Sequence, residues 1–149
     1  MSVHKRSVLV YLQIMKLIRF RGNPILNPTS NWWENVAVFN PGATILNNKI
    51  ILLYRAVGGD HISRFGLATS EDGVKFTRNK EPIFEADSKD PDERLGIEDP
   101  RITKFGDEYL ITYTGTSVYP SKEMSKLTWQ RMAPWKIRTF LTKTQDFVN

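Results

Sequence analysis

FNPGATILNNKIILLYRA (residues 39–56) and EDPRITKFGDEYLITYTG (residues 98–115) read as one unit written twice. Each opens on a polar residue followed by proline. Asn40-Pro41 aligns with Asp99-Pro100, and Tyr54 aligns with Tyr113, both at an offset of 59 residues. A fixed period in a strand-rich chain argues for repeat architecture rather than one closed core. It also sets Asn40 and Asp99 at equivalent places in successive repeats, where side chains can converge on one axis.

Working outward, alternation marks strands on either side of the repeat. Lys49 to Tyr54 is apolar enough to be buried on both faces, as an inner strand is. Phe65 to Ser70 follows, then Glu71-Asp72-Gly73, then Val74-Lys75-Phe76. Asp-Gly between two β-prone runs predicts a hairpin, because both residues tolerate the positive φ of a tight turn. Pro82-Ile83-Phe84 closes the unit, and a proline-broken loop over 85–95 leads into the second copy. There Arg101 to Lys104 and Glu108 to Tyr113 flank the turn Phe105-Gly106-Asp107. Residues 116–135 read as irregular, with Tyr119-Pro120 and Pro134 as breakers.

Near the end, FLTKTQDFVN echoes GLATSEDGVKF, with Asp146 matching Asp72. That offset is 74, so the second repeat carries a 15-residue insertion (74 minus 59). No apolar 3.6-residue periodicity appears, and the expected class is all-β. Repeated groups of about four short strands every 40–60 residues suggest blades of a β-propeller. A propeller of four or more blades at this period needs roughly 240 residues, so the chain reads as part of a larger ring.

Composition bounds the rest. The chain has 149 residues, 40% hydrophobic and 25% charged, as a globular protein of ordinary domain size does. It has no cysteine, which excludes disulfides and thiolate metal sites and suits a reducing compartment. Its net charge of +5 is uneven. Residues 1–21 hold five Lys/Arg and no acid, whereas residues 22–120 hold ten basic and fourteen acidic residues, a net of −4. A nucleic-acid binder concentrates positive charge on its motif-bearing part, so that class is set aside.

The run SVLVYLQIMKLI behind His4-Lys5-Arg6 is too short to span a bilayer, and no small-residue cleavage site follows it. Residues 1–15 therefore read as a disordered or dispensable extension. A strand is expected from near Lys16, with the folded domain over 16–149.

Asp99 is the first candidate for chemistry. It lies in Gly96-Ile97-Glu98-Asp99-Pro100-Arg101, where the following proline favours an extended backbone. A carboxyl there can act as general acid, or simply be a turn aspartate satisfied by backbone N–H groups. Arg55 and Arg64, at adjoining strand ends, can clamp sugar hydroxyls or an anion, or form structural ion pairs. Asn40 both donates and accepts, which suits a hydroxyl, or serves an Asn-Pro turn. Trp32-Trp33 and Tyr113 can stack on a sugar ring or fill a core. His4 and His61 have no second ligand at metal spacing, so no metal is assigned.

With these residues in view, the chain resembles glycoside hydrolase family 130, the β-mannoside phosphorylases and related hydrolases. The segments that carry the resemblance are Arg21 to Leu26, Trp33-Glu34, Val38 to Ala43, Leu53 to Ala56, Ser63-Arg64, Gly66 to Ala68 and Gly96 to Arg101. The resemblance implies a five-bladed β-propeller with its site at the central cavity, of which this chain supplies about two blades. It implies that Asp99 is the general acid, and that Asn40, Arg55, Ser63 and Arg64 surround the sugar beside the cleaved bond. Inverting phosphorolysis of a β-1,4-mannoside to mannose 1-phosphate follows from it, with inorganic phosphate as co-substrate and no cofactor.

The resemblance also implies that most of the phosphate-binding residues, and the bases of hydrolytic members, lie beyond residue 149. A hydrolase, or a non-catalytic carbohydrate-binding unit, therefore stays open at this point. The expected ligand is a β-mannoside oligosaccharide, in the cytoplasm. No membrane or nucleic-acid partner is expected, and a second copy or another polypeptide can complete the ring.

Overall fold

The computed structural model describes residues 17–120 and 134–148, and these form two antiparallel sheets. The first contains β1 (Ala37–Leu46), β2 (Lys49–Val57), β3 (Ser63–Ser70) and the short β4 (Thr77–Arg78), in that spatial order. The second contains β5 (Ile97–Phe105), β6 (Glu108–Val118) and β7 (Trp135–Thr144), also in chain order. The all-β expectation holds. Both copies of the repeat are hairpins, β1–β2 and β5–β6, each joined by a tight turn. Among the described residues no helix is long and apolar enough to cross a membrane.

The unbroken apolar run of β2 has a simple cause, since both faces of that strand are covered. Ile51 and Leu53 point at the second sheet and join Phe65, Leu67, Ile97, Tyr109, Ile111 and Tyr113 in one core cluster. Leu52, Tyr54 and Ala56 point the other way and pack under Trp33, with Leu26 and Phe76 at the margin. Side chains alternate between faces along a strand, so one apolar stretch can serve two cores.

The N-terminal segment departs from expectation. Residues 17–36 form no strand. Pro24 and Pro28 cannot donate to a ladder, and the segment instead crosses the outer face of the first sheet. The leader over 1–15, and Lys16 itself, lie outside the described residues.

The echo between the two hairpin ends is real at atomic detail. Ser70 Oγ accepts from the N–H groups of Asp72 and Gly73, and Asp72 Oδ1 accepts from Val74 and Lys75. In the second sheet, Thr144 Oγ1 accepts from Asp146 and Phe147, and Asp146 Oδ1 accepts from Val148. The Asp72 carboxylate takes the very N–H groups that an immediate return strand needs. Pairing is therefore postponed from the expected Val74-Lys75-Phe76 to Thr77, opposite Thr69. Ile83 and Phe84 then run beside Phe65, as the closing role expected of Pro82-Ile83-Phe84 requires. The 15-residue insertion lies where β6 gives way to β7, a stretch that includes 121–133, outside the described residues, while β6 extends to Val118, past the predicted break at 116.

Candidate functional site

The repeat brings its two polar-proline dipeptides into contact. In each hairpin the pairing register slips by one residue, between Phe39 and Gly42 in β1 and between Glu98 and Arg101 in β5. These are β-bulges, and each leaves an unpaired residue free to aim its side chain. Asn40 and Asp99 occupy them with φ of 46° and 54°, not the extended backbone that the following proline predicts for Asp99. Asparagine and aspartate are the non-glycine residues that best tolerate this left-handed region. Across the gap, Asn40 Nδ2 donates to Asp99 Oδ1 at 2.8 Å.

Gly42 makes this approach feasible. A Cβ built there would lie 2.8 Å from the Pro100 carbonyl oxygen and 3.0 Å from Ile102. Any larger residue would push β5 off β1.

Arg55 enters from β2. Its Nη1 lies 3.4 Å from Asp99 Oδ1, and its Nη2 donates to Glu98 Oε1 at 2.5 Å. Ser63, at the start of β3, accepts from Arg55 Nε at 3.0 Å and lies 3.4 Å from the same Glu98 oxygen. Phe39 lies flat under the guanidinium, 4.6 Å from ring centre to Cζ. Burial pushes the Glu98 carboxyl above its ordinary range; the Arg55 charge opposes that and the Asp99 charge reinforces it. Asp99 itself stays about one-third exposed, at 35%. Both of its contacts fall on Oδ1, and among the described residues nothing is hydrogen-bonded to Oδ2. A carboxyl oriented through one oxygen, with the other open, can present a proton in a fixed direction.

The structure thus gathers Asn40, Arg55, Ser63 and Asp99 into one cluster. Arg64 lies elsewhere. Arg55 pairs with Phe65 in the ladder and Arg64 with Ala56, so the two side chains leave opposite faces of the sheet. The Arg64 guanidinium binds Asp60 at 2.6 Å and Glu85 at 2.8 Å and stacks over the half-exposed ring of Trp32. Asp60 hydrogen bonds hold Arg64 protonated still more firmly, and Arg64 in turn lowers the Asp60 carboxyl. Arg101 sits beside Asp99 at the rim of a shallow cavity on the far face of β5–β6 and donates to the Pro100 carbonyl.

Trp33 and Tyr113 are core residues. The Trp33 ring is fully buried and stacked on Tyr54, and Tyr113 sits among Phe65, Phe84 and Phe140. No group of metal-ligating side chains occurs among the described residues.

Sequence reasoning missed three carboxylates. Glu98 was visible only as a neighbour of Asp99, yet it makes the tighter contact with Arg55. The other two are buried and again lie 59 residues apart. Glu34 accepts from Tyr54 Oη at 2.8 Å, and Glu93 accepts from Tyr113 Oη at 2.8 Å. These tyrosines stand opposite the two bulges, so each Glu–Tyr pair braces the strand facing a polar-proline step. Burial alone would raise the Glu34 carboxyl, but hydrogen bonds from Thr29, Tyr54 and Asn31 and the Arg78 charge outweigh it and leave it lowered. Burial and the partner carboxylates push both tyrosine hydroxyls well up. The recurring interval of 59 was the available signal.

Several known proteins resemble this chain. Residues 12–146 match the family model of glycoside hydrolase family 130, beta-1,4-mannooligosaccharide phosphorylase. A 1,2-beta-oligomannan phosphorylase of Thermoanaerobacter sp. (strain X514) is 39% identical over 110 residues, covering 68% of this chain and 36% of the relative. A beta-1,2-mannobiose phosphorylase of the same organism is 36% identical over 116 residues, covering 68% and 38%. A solved structure from work on family 130 glycoside hydrolases that target beta-1,2 mannosidic linkages in Candida mannan superposes with a TM-score of 0.71. It shares 31% identity and covers 97% of this chain and 42% of that one. The chain therefore spans little more than a third of the length of these two curated relatives. It belongs to glycoside hydrolase family 130.

Proposed function

We propose that this family 130 chain carries the proton-donating part of an inverting β-mannoside phosphorylase, with Asp99 as the general acid. The observation that carries the reading is the Asn40–Asp99 contact, which fixes Oδ1 and leaves Oδ2 open. A proton on Oδ2 passes to the glycosidic oxygen as the bond to the anomeric carbon breaks. Inorganic phosphate attacks that carbon from the opposite face, giving mannose 1-phosphate and the shortened sugar. Asn40, Arg55 and Ser63 stand where they can meet hydroxyls of the sugar beside the cleaved bond. In this proposal the bonds of Arg64 to Asp60 and Glu85 keep it away from the reacting centre.

In this reading most of the phosphate ligands lie outside this chain. The full fold is a five-bladed propeller in which a further sheet, from the same polypeptide or another, covers the far face of β5–β7. The exposure of Phe105 (72%), Leu141 (63%) and Ile137 (57%) on that face supports this part of the reading. A cytoplasmic location fits the absence of cysteine.

Of the linkages, β-1,4 follows from the family resemblance, and β-1,2 is the second reading because the two Thermoanaerobacter relatives act on β-1,2-linked mannosides by name. Incubating the intact protein with each mannobiose and phosphate distinguishes them. Mannose 1-phosphate is expected from one, and equal turnover without phosphate would indicate a hydrolase. Asp99→Asn is expected to lower kcat by about 10²–10⁴-fold, the usual weight of a general acid. Undiminished turnover in that variant would remove Asp99 from the chemistry.

A further inference from the structure

Arg55 stands between two carboxylates and does not serve them equally. Glu98 holds it at 2.5 Å, whereas Asp99 is at 3.4 Å. Ser63 locks the arrangement by bonding Arg55 Nε and lying against the same Glu98 oxygen. A guanidinium placed squarely on Asp99 would favour its ionised form, which is useless in a proton donor. A second negative charge on the preceding residue has the opposite effect. We propose that Glu98 is a positioning residue that draws Arg55 away from Asp99 and, by its own charge, keeps Asp99 protonated until the glycosidic oxygen accepts the proton. This rests on the general-acid reading given above and extends it to a residue that acts through Arg55 and Asp99.

The surroundings add few competing charges. β1 contributes Asn40 and Phe39, β3 contributes Ser63, and β6 contributes Thr114 opposite Glu98; none of these titrates. Arg55 on β2 is the charge in contact with both carboxylates, and Arg101 on β5 stands two residues along from Asp99. Arg64 is turned toward Asp60 and Glu85.

The test is Glu98→Gln, which keeps shape and removes charge, with Glu98→Asp as the charge-retaining companion. Two readouts are taken on the intact protein: the pH profile of kcat/KM, and the titration of the Asp99 carboxyl carbon by 13C NMR. Glu98→Gln is expected to move the alkaline limb and the Asp99 midpoint down together by about one pH unit. Glu98→Asp is expected to restore much of that shift. The Asp72 carboxyl, held near 2 by its own turn, reports in the same spectra that the fold persists.

An Asp99 midpoint unmoved in Glu98→Gln overturns the inference, as does a loss of activity equal at every pH. The parent reading fails separately. If Asp99→Asn retains activity, Asp99 is not the acid, while an NMR shift in Glu98→Gln would still show the charge coupling.

Discussion

The two repeats share a backbone and differ in what they hang on it. Both place a bulge before proline, both oppose it with a tyrosine, and both tie that tyrosine to a buried glutamate twenty residues earlier. Yet the first copy presents Asn40, Gly42 and Arg55, where the second presents Asp99, Arg101 and Thr114. One repeat supplies an amide, a cation and a bare backbone for close approach; the other supplies the carboxyl they address. The scaffold is duplicated and the chemistry is divided between the copies. Burial differs too. Glu34 is closed in by Thr29, Asn31, Tyr54 and Arg78, whereas Glu93 accepts from Tyr113 and the Asp87 N–H, and among the described residues no guanidinium is bonded to it.

That asymmetry can be broken most severely at Glu34. Glu34→Ala strands Arg78 and the Tyr54 hydroxyl, and breaking a buried ion pair costs about 3–5 kcal/mol. Glu93→Ala leaves two neutral donors unsatisfied and is expected to cost about 1–3 kcal/mol. Urea unfolding of both variants checks the order, and equal losses would mean that the two braces are equivalent.

Next comes the approach of the two bulges. Gly42→Val forces β5 away from β1, and displacing a positioned acid by about 1 Å is expected to lower kcat on the order of 10²-fold. Steady-state kinetics would show whether KM alone suffers instead.

A gentler change sharpens the comparison by making the copies alike. Asn40→Asp sets a second carboxylate against Asp99, so the pair shares a proton and the alkaline limb of the pH profile is expected to rise by about 1–2 pH units. A falling limb would contradict the contact.

The smallest effect lies in the hairpin turns. The Lys75 and Val74 N–H groups hold the Asp72 carboxyl down at about 2 from an ordinary 3.8. A folded-state value below the unfolded one adds stability above 3.8 that is lost as pH falls toward 2. Asp72→Ala is expected to flatten the fall in Tm over that range while leaving the matching turn at Asp146 intact.

Much of the fold was legible because its markers are local. An unbroken apolar run marked the inner strand, Asp-Gly the turn, and the repeated polar-proline step the period. What stayed hidden depended on partners distant in sequence. The rule that a residue before proline is extended fails at Asp99, where the register slip against β6 selects a left-handed backbone. The return strand after Asp72 began late because a side chain took its backbone donors. Arg55 and Arg64 looked alike as strand-end arginines, and only the pairing of β2 with β3 reveals that they leave opposite faces. Glu34 and Glu93 drew no role of their own, since nothing near them in sequence announces a tyrosine twenty positions on.

The account stands on the hydrogen bond from the Asn40 amide to Asp99. A 15N–1H titration of the Asn40 side-chain amide tests it most directly. Its resonances are predicted to shift with the Asp99 carboxyl midpoint in the wild-type protein and to stay flat in Asp99→Asn. An Asn40 amide indifferent to pH through the Asp99 titration would mean that the two bulges do not meet.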